Sequence, residues 1–87
     1  MKIRIDPHTL ERAEERGASE EEIIEVIQSG IPFPAKSRCL GKAKVFEFQQ
    51  ERMGKFYEQK RVEVIYTIEA NTIVTVTVYV FYGKWED

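Results

Sequence analysis

The single histidine of this chain stands at position 8, with arginines at positions 12 and 16. On a helix these three residues lie one turn apart and share a face. An imidazole moves protons near neutral pH, and guanidinium groups hold a phosphate and stabilise charge as it develops. Chemistry that cleaves RNA needs these group types. Glu11 and Glu15 lie beside the row. A second reading therefore stands next to the first: His8 is a surface residue of a first helical turn, and the arginines pair with Glu11, Glu15 or Glu20.

The rest of the chain offers less chemistry. Cys39 is the one cysteine, beside Arg38 and Lys42, with no CxxC partner and no base apart from His8. It reads as a small strand residue. One His, one Cys and scattered carboxylates give no metal-ligand spacing, and there is no phosphate-binding glycine fingerprint. Tyr57, Tyr66, Tyr79, Phe81, Tyr82 and Trp85 gather in the second half. Aromatics on a sheet either fill a core or stack bases.

Charge is strongly segregated. The formal net charge is −2, yet residues 1–30 carry −4, residues 31–61 carry +5 and residues 62–87 carry −3. The basic block holds Lys36, Arg38, Lys42, Lys44, Arg52, Lys55, Lys60 and Arg61. It either contacts phosphate locally or forms a solvated, association-blocking surface. If the block contacts RNA, Lys44 or Arg61 on the sheet would track the backbone.

These groups need elements to position them. Asp6-Pro7 is a helix start, with Asp at the N-cap and Pro at N1. That helix runs over 7–16 and stops at Gly17. Ser19 and Glu22 form a capping box for a second helix whose apolar stripe is Ile23, Ile24, Val26 and Ile27, ending at Gly30. Residues 2–5 alternate as an edge strand or a lead-in. Ile31-Pro32-Phe33-Pro34 imposes an extended crossing segment. A strand is expected over about 38–50, a turn or long hairpin loop over 51–60, and a strand over 62–69. Ala70-Asn71 is a two-residue turn before a last strand over 72–82. On that strand Val74, Val76, Val78 and Val80 should face the helices, against Leu10, Ile23 and Ile27. Ile73, Thr75, Thr77, Tyr79 and Phe81 should line the other face, and their apolarity predicts a homodimer.

The segment His8-Thr9-Leu10-Glu11-Arg12, followed by Arg16-Gly17 and Ser19-Glu20-Glu21-Glu22-Ile23, resembles domain of unknown function 4258, as does the strand Val74-Thr75-Val76-Thr77-Val78-Tyr79. That family looks related to the RelE/ParE and BrnT toxin-like proteins, whose wider group contains metal-independent ribonucleases. The resemblance implies His8 and Arg12 as catalytic residues, with Arg16 beside them. It implies a toxin-like endoribonuclease, with RNA and an antitoxin-like protein as partners. The sequence pI of 5.5 departs from the basic charge common in such enzymes.

The expectations are therefore these. Residues 1–87 form a single α+β domain, with two N-terminal helices on one face of an antiparallel three- to four-stranded sheet, as in RelE/ParE toxins. His8 and Arg12 are candidate catalytic residues, while Arg16, Lys44 and Arg61 are candidate substrate-binding residues. No cofactor or metal is implied. No apolar run approaches the ~20 residues of a membrane span, no secretory signal is visible, and cytoplasm is the default compartment. The alternative is a non-catalytic protein-binding or dimerisation module, or an inactive toxin relative.

Overall fold

The Asp6 side chain accepts from the His8 backbone N–H at 2.8 Å, with Pro7 in the first turn, so the first helix starts where the sequence places it. The second starts with a complete capping box: Glu22 N–H to the Ser19 hydroxyl at 3.1 Å, and Ser19 N–H to the Glu22 carboxylate at 2.9 Å. The structure, a computed structural model, describes residues 1–85. Its elements are β1 (Lys2–Arg4), α1 (Pro7–Arg16), α2 (Glu20–Ser29), β2 (Ile31–Pro34), β3 (Leu40–Arg52), β4 (Lys55–Glu69) and β5 (Thr72–Gly83).

The strands build one five-stranded sheet in the order β1-β5-β4-β3-β2. This corrects the expected antiparallel sheet of three or four strands and the toxin-like architecture built on it. β1 is a true strand, parallel to β5 with Lys2 opposite Thr72 and Arg4 opposite Val74. The sheet is therefore mixed. The Ile31–Pro34 segment is also a strand, antiparallel to β3. Proline cannot donate to a ladder, but an edge strand needs donors on one side only, so Pro32 and Pro34 are tolerated there.

Residues 51–60 form no long loop either. Arg52 pairs directly with Lys55 across Met53-Gly54, both at positive φ (53° and 81°). This two-residue turn lets β4 begin at once. The turn at Ala70-Asn71 is built the same way, with φ of 47° and 62°.

The helices cover one sheet face, α1 over β5 and α2 over β4 and β3. Ala13, Ile23, Val26, Ile27, Val62, Val64, Tyr66 and Val78 form the core between the layers. The expected valine stripe is broken in the middle. Ile65 pairs with Thr77 and Tyr66 with Thr75, so Val76 is an extra residue, a β-bulge. A one-residue slip exchanges the two faces of a strand. Val78 remains buried at 0% exposure, while Val76 turns outward at 42%. Before the bulge, Ile73 packs on the core and Thr75 is buried, although both had been assigned to the opposite face. The buried Thr75 hydroxyl donates to the Thr9 hydroxyl at 2.9 Å and accepts from the Asp6 N–H at 2.9 Å. This ties the start of α1 to β5.

Candidate functional site

The row on α1 divides among three environments. His8 is exposed in the first turn. Arg12 lies along the same helix, and its guanidinium donates to the Glu15 carboxylate at 2.8 Å, as the surface reading anticipated. Arg16 reaches β5: it donates to the Val78 carbonyl oxygen at 2.6 Å and lies 5.1 Å from the Tyr79 ring centre. Such stacking of guanidinium on an aromatic face is favourable by ~0.5–1 kcal/mol at an exposed site.

The two strand cations lie elsewhere. Lys44 is on the helix side of β3, paired with Glu25 and donating to the Ser29 hydroxyl at 3.2 Å. Arg61 is on the opposite face, donating from Nε to Glu63 at 2.9 Å. Neither joins the His8–Arg12 row.

Half of the basic block has a role that sequence reasoning missed. Lys60 donates to the Gly17 carbonyl oxygen at 2.7 Å and to Glu22 at 2.9 Å. Arg52 donates to the Glu15 carbonyl oxygen at 2.9 Å. The Tyr82 hydroxyl donates to the Arg16 carbonyl oxygen at 2.6 Å. Lys42 donates to the Ile27 carbonyl oxygen at 2.8 Å, and Lys44 sits against the last turn of α2. Sheet side chains therefore satisfy the orphan carbonyls and the negative end of both helix dipoles. One signal was visible: the last turn of α2 carries no basic residue of its own. Burial raises the Tyr82 hydroxyl pKa above its ordinary value, opposed by the Arg52 charge and assisted by Glu22.

The sheet face away from the helices is open. Cross-strand pairs there are Arg61–Phe81 and Glu63–Tyr79, with Val45 opposite Arg61 on the next strand. Tyr79 is 42% exposed and Phe81 48%. Ile3 and Ile5 pack on the core, so the alternation of β1 sends Lys2 and Arg4 to this same face. Beyond Tyr79 lies a cleft of about 480 Å³ lined by Phe33, Lys36, Cys39, Ile65, Val76 and Tyr79. That volume suits a group the size of a small ligand. Its lining includes Lys36 and Glu63, and strand alternation puts Lys2, Arg4 and Arg61, with Glu47, Glu63 and Glu69, on the same sheet face. The outer surface of the helices carries Glu11, Glu14, Glu15, Glu20, Glu21 and Glu25.

Among the described residues, no three His, Cys, Asp or Glu side chains gather as metal ligands. No described helix is long and apolar enough to cross a membrane. No curated protein and no solved structure matches the chain. The α1–α2 unit, β2, β3, β4 and β5 as far as Val80 fall within residues 5–80, the span matched by the family described as Domain of unknown function (DUF4258), and the chain belongs to that family.

Proposed function

We propose that this protein binds single-stranded RNA on its open sheet face. The observation that carries the reading is the Tyr79 ring, half exposed on that face with the Arg16 guanidinium 5.1 Å from its centre. Phe81 follows two residues on, with Arg61 directly across the ladder. Exposed aromatics stack bases without regard to sequence, and neighbouring guanidiniums contact the phosphates. Arg61 engages Glu63 through Nε, which leaves its terminal nitrogens for a phosphate oxygen. Lys2, Arg4 and Arg61 on this face, with Arg16 at its edge, contrast with the acidic helical surface and supply the cations that a polyanion needs.

Fluorescence anisotropy of a labelled oligouridine tests this. Tyr79→Leu should weaken binding by about tenfold, since a stacked base is worth ~1–3 kcal/mol. Arg61→Gln should weaken it and lower the salt slope by about one unit. Folded wild-type protein that leaves the oligonucleotide free at low salt would overturn the reading.

A second reading places cleavage at the helix surface, on the layer opposite the open sheet face, in the manner of the RelE/ParE and BrnT toxin-like proteins. It is favoured by one observation: His8 is exposed and Arg12 follows it on the same helix face. His8 would act as general acid or base, with Arg12 on the phosphate. Loss of such a group lowers rates by ~10²–10⁴. His8→Ala should then abolish cleavage of a mixed RNA pool while binding persists, and an intact pool after incubation with folded, partner-free protein removes this reading.

A further inference from the structure

β1 covers β5 only from Thr72 to Val74, whereas β5 continues to Gly83. From Val76 onward the outer side of β5 has no strand beside it among the described residues. Arg16 reaches that side, donating to the Val78 carbonyl oxygen at 2.6 Å. In an antiparallel ladder the N–H and C=O of one residue point the same way, and successive residues alternate. The open side therefore presents the backbone groups of Val78, Val80 and Tyr82.

Natural edge strands are blunted by charge or proline, because an unpaired ladder invites another chain. The other exposed edges follow this rule. β1 carries Lys2 and Arg4, and β2 carries Pro32 and Pro34. The run from Thr72 to Tyr82 has neither a charged residue nor a proline. It is also nearly all β-branched or aromatic, the composition that pairs best.

We infer that the free edge of β5 pairs with β5 of a second copy of this chain. Apart from Arg16, which reaches over from α1, this edge carries no charge with which to select an oppositely charged partner, and a second β5 supplies an uncharged complement. The free segment Val76–Tyr82 has its midpoint at Tyr79. Antiparallel pairing about that residue places Val78 opposite Val80 of the second copy, and both present their backbone groups outward, so the ladder bonds close. Thr77 then faces Phe81 of the second copy on the open face. Arg16 leaves the Val78 carbonyl when the edge pairs, so it acts as the latch of the monomer. The two open faces join into one continuous surface across the dyad. This inference does not depend on RNA binding and is tested without it.

Sedimentation velocity over a range of concentrations should show a species of twice the 10.2 kDa chain mass. Hydrogen exchange at the Val78 and Val80 amides should slow as it forms. Phe81→Lys, at a site 48% exposed, should keep the wild-type thermal midpoint at dilutions where both are monomers and weaken the dimer by about a hundredfold, since two buried aromatic contacts are lost. Thr77→Glu combined with Phe81→Lys should restore association, because each lysine then faces a glutamate of the other chain. Wild-type protein that stays at 10.2 kDa at high micromolar concentration would overturn the proposal. So would a dimer indifferent to Phe81→Lys, or one whose Val78 and Val80 amides exchange as fast as in the monomer.

Discussion

Lys60, from the middle of β4, donates to the carbonyl oxygen of Gly17, the residue that ends α1, at 2.7 Å. The same ammonium holds Glu22 in the first turn of α2 at 2.9 Å. One buried cation thus fixes the elbow between the helices, and Lys60 is only 7% exposed. Lys60→Ala should lower stability by ~1–3 kcal/mol, the cost of leaving buried partners unsatisfied. Urea unfolding checks this, and the loss should change little with added salt because the contact is shielded from solvent.

Gly17 and Gly54 both take positive φ, at 92° and 81°. A Cβ at Gly17 would overlap the Tyr82 hydroxyl and press on the Arg52 guanidinium, whereas a Cβ at Gly54 meets nothing within 4 Å. Gly54→Ala should cost about 1 kcal/mol, from backbone conformation alone. Gly17→Ala should cost clearly more, about 3 kcal/mol, since it adds overpacking to the strain. Paired thermal melts of the two variants separate the effects.

The bulge at Val76 makes a comparison between neighbours on one strand. Val78→Ala empties part of the core and should cost ~1–3 kcal/mol. Val76→Ala, at an outward position, should stay within about 0.5 kcal/mol of wild type. Equal losses at both positions would place both side chains in the core and remove the bulge.

Tyr82 carries a clear pH signature. Its pKa is raised, chiefly by burial, so the neutral hydroxyl is favoured in the folded state. The stability this contributes is complete below the ordinary tyrosine pKa of ~10 and is lost as pH rises through the folded-state value. Tyr82→Phe should therefore flatten the alkaline limb of the stability profile. At neutral pH it should cost ~0.5–1.5 kcal/mol, from the lost bond to the Arg16 carbonyl.

The helices and their caps were legible because the signals are local: Asp6-Pro7, Gly17, Ser19 with Glu22, and Gly30 act within one turn of their own positions. The Ala70-Asn71 turn was legible for the same reason. Strand order was not, since β1 pairs with a strand some seventy residues away, and Lys2-Ile3-Arg4 holds no trace of its partner. The hairpin at Met53-Gly54 was hidden by polar neighbours on both sides, whose cations serve helix ends rather than a loop. The bulge was hidden by the evenness of Val74-Thr75-Val76-Thr77-Val78, which suits either register. The His8–Arg12–Arg16 row was correctly placed on one helix. The departure of Arg16 toward Val78 and Tyr79 depends on the third dimension.

The separation of charge between the two layers bears on the acidic pI of 5.5. At physiological ionic strength the Debye length is about 8 Å. The molecule is 22 Å across its thinnest axis. A ligand seated on the open sheet lies well beyond that screening distance from most of the outer glutamates of α1 and α2. On the proposed binding mode its affinity should follow the local potential of Arg4, Arg16 and Arg61 rather than the global charge. In dilute buffer the screening length grows to ~30 Å, the helices become visible through the sheet, and their repulsion offsets part of the attraction. Lowering the salt should therefore strengthen binding less steeply than the count of phosphate contacts alone would require.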